Sequence, residues 1–333
     1  MTQENLYPLK FETIFKDKIW GGNKIKTLLG KDFSPLLNCG ETWEISGVPG
    51  NLSIVKEGFL KGKSLPELIE LYKEQILGAK VYKTFGNDFP LLIKFIDAND
   101  DLSIQVHPDD ELAKNRHNSF GKTEMWYILQ ADPGATLNSG FSKPIDEKIY
   151  LHHLETNTLN EILNFEKVTA GDVFYLPAGR VHYIGKGICL AEIQQTSDIT
   201  YRIYDFDRKD DQGNKRELHT EQALKAMDFT HHDNFKTEYS ASPNLPTKIV
   251  SSQYFTTNLI EIDTIIDTEI KRDYNSIDSF IILIVVQGNV TITYPTGTLS
   301  LKFGECVLIP ANINNISIVP SESSKILEVY VPK

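Results

Sequence analysis

The stretch that most constrains this chain is Gly171-Asp-Val-Phe-Tyr-Leu-Pro177-Ala-Gly179-Arg-Val-His182. A glycine turn starts a strand, Pro177 and Gly179 close the next tight turn, and a histidine follows. A degenerate copy recurs as Gly304-Glu-Cys-Val-Leu-Ile-Pro310-Ala-Asn312-Ile-Asn-Asn315. Glycine and proline keep their register there, but Asn315 stands at the histidine's position. A β-barrel wall built twice is expected, with an imidazole only in the first copy. That half should carry chemistry and the other should be structural.

Most of the remaining sequence has strand character, with short β-branched and aromatic runs broken by Gly, Pro, Asn and Asp. Examples are Pro90–Ile96, Leu102–His107, Glu124–Leu129, Leu259–Ile262 and Lys325–Val331. Two helices are predicted. Ser64 and Glu67 form a capping box ahead of Leu65, Leu68, Ile69, Tyr72 and Ile76, with Gly78 as the stop. A second helix starts at Thr220 and carries Ala223, Leu224 and Met227. Residues 237–247, rich in Ser, Pro and Asn, read as a linker. At 333 residues, more than one packing unit is expected. The predicted fold is mainly β: two tandem jelly-roll barrels with a few helices and no large helical insertion. The domains expected are 1–240, the site-bearing one, and 250–333, without metal ligands.

In an extended strand alternate side chains share a face. Leu102, Ile104 and Val106 therefore fall on one side of their strand, while Gln105 and His107 project from the other until Pro108 ends it. A polar pair on the inner face of a small barrel is costly unless something binds it. Glu124 offers a carboxylate from a neighbouring strand and His182 an imidazole from the glycine-proline turn. Two neutral imidazoles, one carboxylate and the Gln105 amide oxygen leave a coordination position open, as catalytic rather than structural zinc requires. His152–His153 and His231–His232 are adjacent pairs that would point to opposite faces of a strand and chelate poorly. His117 and His219 have no motif around them.

The net charge of −11 argues against nucleic acid or an anionic membrane surface as partner. Cys39, Cys189 and Cys306 have no C-x-x-C spacing and suit a reducing compartment. The start has neither a basic nor an apolar leader segment, and Phe280–Val286 is too short to span a bilayer as a helix. A cytoplasmic chain is expected.

Taken together these segments resemble type I mannose-6-phosphate isomerases of the cupin superfamily, in their shorter bacterial form. The resemblance rests on Ile19-Trp-Gly-Gly22, Gly40-Glu-Thr-Trp-Glu-Ile-Ser46, Gln105-Val-His-Pro-Asp109, Lys122-Thr-Glu124, the glycine-proline-histidine turn, and Ser197-Asp-Ile-Thr-Tyr-Arg202. It implies metal ligation by Gln105, His107, Glu124 and His182, with one Zn2+ per chain. It also implies an active-site Arg202, with Lys122 and Glu192 in the catalytic site. Two residues depart from the longer members' pattern: Thr123 stands where they have proline, and Ile199 where they have asparagine. These changes bear on substrate selectivity rather than on the metal.

Aldose–ketose isomerisation moves a proton between C1 and C2 through an enediolate. A bound dication would act as electrophile. Arg202 cannot be the base, because a guanidinium stays protonated. Lys122 precedes Glu124 by two residues and would share its face; Glu192 and Arg202 would share one in an unbroken strand. Lys94, Arg180 and Arg208 are candidates for holding the phosphate of a small phosphorylated sugar. Two other readings are a cupin non-haem iron oxygenase, since two histidines and a carboxylate also suit iron, and a non-catalytic sugar-binding cupin. Oligomeric state is not encoded in these motifs.

Overall fold

The computed structural model describes residues 5–209, 212–263 and 269–332. Its strands are, in chain order, β1 (Ile14–Lys16), β2 (Glu41–Ile45), β3 (Leu91–Ala98), β4 (Ile104–Val106), β5 (Glu124–Ala131), β6 (Thr136–Phe141) and β7 (Leu163–Lys167). There follow β8 (Val173–Leu176), β9 (His182–Ile184), β10 (Ile188–Gln195), β11 (Tyr201–Tyr204), β12 (Pro246–Ser251), β13 (Thr256–Ile262) and β14 (Ile270–Asp273). The chain ends with β15 (Ile281–Gln287), β16 (Asn289–Tyr294), β17 (Gly297–Lys302), β18 (Cys306–Ile309), β19 (Asn315–Pro320) and β20 (Ser324–Tyr330).

These elements belong to two compact units. The first comprises Phe15–Trp43 and Leu92–Thr237, and the second Met1–Ile14, Glu44–Leu91 and Glu238–Lys333. Glu44–Leu91 thus clusters with the C-terminal strands rather than with the rest of residues 1–240, a grouping that no linker signal in the sequence carries.

In the first unit, a sheet of order β1-β2-β3-β10-β5-β8 faces one of order β11-β4-β9-β6-β7. Ile96, Trp126, Ile128, Phe174 and Leu190 from the one meet Leu137 and Ile184 from the other in a shared apolar core. The second unit repeats the scheme with β12-β13-β20-β15-β18 and β14-β19-β16-β17. Its core joins Ile260, Leu283, Val307 and Ile326 to Ile270, Ile292, Ile316 and Ile318. The two glycine-proline segments become β8 and β18, at matching positions in their sheets.

The match stops at the histidine. His182 is buried and lies opposite Gln105, whereas Asn315 is exposed and lies opposite Asp273. The inward residue is Ile316, opposite Arg272. Equating Asn315 with His182 by spacing is therefore corrected by one residue, because β19 presents the next side chain to the interior.

Helices are more numerous than the two predicted. They are α1 (Lys24–Thr27), α2 (Leu65–Tyr72), α3 (Glu74–Leu77), α4 (Ala79–Phe85), α5 (Asp110–His117), α6 (Glu147–Glu155) and α7 (Thr220–Ala226). The Ser64 capping box is present, with the Ser64 N–H donating to Glu67 at 2.7 Å. The expected single helix to Gly78 is broken at Lys73, whose φ of 47° interrupts the helical path. Gly78, at φ 88°, must be glycine, since a Cβ would lie 2.5 Å from the Asp278 carbonyl oxygen. The Asp278 carboxylate accepts from the first two N–H groups of α4, at 2.7 and 3.0 Å. His152–His153 sit in α6 rather than on a strand.

Candidate metal centre and its cavity

Strand β4 lies between β11 and β9, with Arg202 opposite Gln105 and Gln105 opposite His182. One cross-strand row on the interior face thus carries Arg202, Gln105 and His182. Ile104 and Val106 turn the other way, into an apolar layer with Tyr150, Tyr201 and Ala223 under α6 and α7. This is the predicted alternation. His107 follows at the strand's end, where its carbonyl accepts from the Gly179 N–H at 2.9 Å. Gly179 has φ 90°, so the turn that delivers His182 is also tied to His107. Glu124 opens β5 opposite Leu176, from the facing sheet.

His107, Glu124 and His182 are all buried, and one ligand atom from each falls within 4.8 Å of the others. Each imidazole Nε2 lies 3.4 Å from a Glu124 oxygen. The outer nitrogens fix the tautomers. His107 Nδ1 is 2.9 Å from the Ile199 carbonyl and His182 Nδ1 is 2.9 Å from the Arg180 carbonyl. A carbonyl only accepts, so both protons sit on Nδ1 and both Nε2 lone pairs face the site. Burial, then the Lys122 charge, pushes His107 down to about 3, and burial lowers His182. Neutral imidazoles of this kind are metal donors. Glu124 Oε1 is buried without a hydrogen-bond partner among the described residues. A cation already suits this place: the Lys122 ammonium lies 2.6 Å from Glu124 and 2.7 Å from His107 Nε2. The donor set therefore fits a divalent metal. The Gln105 amide nitrogen lies 3.3 Å from His182 Nε2, beside the same spot, so ligation through its oxygen would need the amide to turn over.

A cavity of ≈ 250 Å³ opens next to this group, lined among others by Gln105, Lys122, Glu192, Lys94, Arg202 and Arg216. Glu192 projects from β10, buried, and accepts from Trp126 Nε1 at 2.9 Å. Lys94 ion-pairs with it at 3.1 Å. Burial raises the Glu192 carboxyl, and the Glu124 charge adds to this against Lys94. Burial opposes the charge on Lys94, but Glu192 and Glu41 reverse that and raise it. Burial alone would raise Glu41 as well; Lys94, Lys18 and the Trp43 N–H instead draw it down to about 2.

The single unbroken strand expected for Glu192 and Arg202 is not found. They lie on β10 and β11, in facing sheets, and still reach the same cavity. Arg180 does not line it; its guanidinium stacks on Phe235 and donates to the Tyr175 carbonyl. Arg208 is turned to Asp205 and the Asp101 carbonyl, and Lys94 is committed to Glu192. His117 and His219 serve as hydrogen-bond partners of Tyr201 and the Arg202 N–H. Sequence reasoning assigned no role to Glu41, Lys18 or Arg216. The first lies in the quoted Gly40–Ser46 segment, and only pairing of β2 with β3 brings it near Lys94. Arg216 lies in a polar stretch with no motif.

Fold and site together define a mainly β protein with a cupin domain and a buried His–Glu–His metal-binding group. Comparison with known proteins narrows this. Residues 8–129 match the family described as phosphomannose isomerase type I, catalytic domain, and residues 246–327 match the mannose-6-phosphate isomerase cupin domain. A mannose-6-phosphate isomerase of Streptococcus mutans is 36% identical, over 96% of this chain and 99% of its own. The crystal structure of the mannose 6-phosphate isomerase of Bacillus subtilis superposes with a TM-score of 0.85 at 32% identity, covering 97% of this chain and 99% of that one. A structure from Archaeoglobus fulgidus, 20% identical, shares the fold with a TM-score of 0.79. The chain belongs to the type I mannose-6-phosphate isomerases. No helix among the described residues is long and apolar enough to cross a membrane.

Proposed function

We propose that this chain interconverts mannose 6-phosphate and fructose 6-phosphate with one zinc ion held by His107, Glu124 and His182, and by Gln105 through its amide oxygen. The observation that carries this reading is the convergence of two Nε2 lone pairs and a carboxylate beside a cavity that also holds Glu192 and Lys94. When bound, the ion supplies a Lewis acid for the oxyanion that develops as the proton moves between C1 and C2. Glu192, raised by burial and backed by Lys94, takes and returns that proton. Lys122, at the cavity wall beside Glu124, gives a proton to the sugar's carbonyl oxygen and takes one back from the neighbouring hydroxyl, so that O1 and O2 exchange roles. Arg202 stays cationic and steadies the negative charge of the open-chain sugar.

Zinc is favoured over the iron of an oxygenase by the amide donor and by three free cysteines, which suit a reducing, cytoplasmic setting. In this reading each pair of sheets is a jelly-roll barrel, the first catalytic and the second without ligands. A coupled assay for fructose 6-phosphate formation, with and without chelator, tests it. Activity should disappear on metal removal and return with zinc. Stoichiometric iron in fresh protein, with oxygen uptake and no fructose 6-phosphate, would overturn it.

A further inference from the structure

Lys122 and Glu124 reach the metal group from the segment that enters β5, so their aim depends on how residues 121–124 are held. Three successive N–H groups there find three different acceptors. The Gly121 N–H donates to Asp110 Oδ1 at 2.9 Å, the Lys122 N–H to the Pro108 carbonyl at 3.0 Å, and the Thr123 N–H to Gln195 Oε1 at 2.8 Å. The Gln195 amide works at both ends, since its Nε2 donates to the same Asp110 Oδ1 at 2.9 Å. Its backbone N–H donates to the Thr123 carbonyl at 3.1 Å. A Cβ on Gly121 would lie 2.6 Å from the Asp110 backbone nitrogen, so only glycine lets the segment approach α5 this closely.

Register separates this brace from the reacting groups. Strand β10 pairs Gln194 with Glu124 and Glu192 with Trp126, which puts Glu192 and Glu124 on one face. Thr123 and Gln195, the next residue along each chain, fall on the other. Both are buried polar side chains, which are costly unless hydrogen-bonded. Thr123 meets that demand with a second contact: its Oγ1 accepts from the Ala178 N–H at 3.2 Å. Ala178 lies inside the turn that delivers His182, and the following N–H, that of Gly179, donates to the His107 carbonyl at 2.9 Å. One threonine thus joins the segment of Lys122 and Glu124 to the turn that connects His182 with His107. Proline could make neither contact, having no N–H and no hydroxyl.

We propose that Thr123 is a positioning residue for the metal group, with Gln195 and Asp110 as its brace. This role rests on the metal centre proposed above, and adds what sets Glu124 and Lys122 against the two imidazoles. Thr123 touches neither metal nor sugar and acts through the backbone it fixes. Groups that hold ligands from behind set metal affinity over one to two orders of magnitude.

The test compares Thr123→Val, Thr123→Ser and Gln195→Met with the wild type, all full-length. Valine keeps the shape and loses the hydroxyl, serine keeps the hydroxyl, and methionine keeps the length of Gln195 without its amide. Zinc affinity, read by competition with a chelator, should fall about 10-fold in Thr123→Val and up to about 100-fold in Gln195→Met. Thr123→Ser should stay within about threefold of the wild type. Cobalt(II) in place of zinc should show a changed visible absorption in Thr123→Val and the wild-type spectrum in Thr123→Ser. In zinc-saturated protein kcat should fall about 10-fold in Thr123→Val, with KM for mannose 6-phosphate changed less than about threefold. A lower melting temperature with zinc affinity and cobalt spectrum unchanged would overturn the proposal, because the contacts would then serve folding alone. Serine as weak as valine would overturn it too. If the wild type makes no fructose 6-phosphate, the isomerase reading falls, while zinc binding weakened by valine and kept by serine still supports the positioning role.

Discussion

Glu192 and Glu328 hold corresponding places in the two units. Glu192 pairs across to Trp126 and Glu328 to Leu283. Two residues before those partners, Glu124 and Ile281 lie opposite Leu176 and Ile309, the residues that precede Pro177 and Pro310. Both glutamates point between their sheets, yet their surroundings differ. Glu328 is closed in: Arg272 reaches it through two nitrogens at 2.8 and 2.9 Å, the Tyr274 hydroxyl at 2.9 Å, and Asn258 at 2.9 Å. Glu192 has Trp126 and Lys94 and otherwise faces a cavity. In the first unit Gln105 occupies the inward position that Arg272 has in the second, and His182 the one that Ile316 has. A long arginine reaches the acid and neutralises it, which closes the second unit's interior. A shorter amide in its place, beside imidazoles, leaves room in the first. On a single scaffold, occupancy distinguishes the two interiors.

The largest effect should come from making the first unit resemble the second at the metal group. Glu124→Gln removes the only carboxylate of the His107–Glu124–His182 group and leaves the Lys122 ammonium without its partner. Loss of a metal's electrophilic contribution, several kcal/mol, predicts a fall in kcat on the order of 10³-fold or more, with metal content well below one per chain. Isomerase assay and elemental analysis together decide it. Full activity in a metal-depleted variant would dissolve the contrast between the units.

Next comes the closed site. Glu328 is fully buried and Tyr274 nearly so, while Arg272 is only partly buried. Glu328→Ala strands a buried phenol and a partly buried guanidinium and should cost about 3 kcal/mol in denaturant unfolding, the low end for a buried pair. Activity per folded molecule should stay the same. The double change Arg272→Leu with Glu328→Leu should recover most of that loss, because removing both charges avoids the unpaired one. A single variant as stable as the wild type would mean that the network is not what fills this interior.

Much of this was legible in the sequence because it depends on local periodicity. Alternation along Leu102–His107 separated Gln105 and His107 from Ile104 and Val106, and the Gly171–His182 turn located His182. Glu328 was not legible. In Ser324–Tyr330 a lone glutamate in a strand resembles any solvated edge position, and its partners lie 54 to 70 residues earlier. Arg216 escaped for the same reason: it reaches the cavity only because a later segment returns along the edge strand β11. The extra helices α4, α5 and α6 are short, and their ends are fixed by caps such as Asp109 and Asp146 rather than by long apolar repeats.

The smallest effect is also the sharpest test of register. Spacing from Pro310 suggests that Asn315→His would restore the missing imidazole, whereas the structure turns residue 315 outward, opposite Asp273. An exposed substitution of this kind should change stability by no more than about 0.5 kcal/mol. Metal content should remain at one per chain, with the isomerase rate unchanged. A second equivalent of zinc bound by the variant would mean that β19 presents position 315, not Ile316, to the interior. The correspondence between Gln105 and Arg272 would then shift by one residue, and with it the account of why only one unit is open.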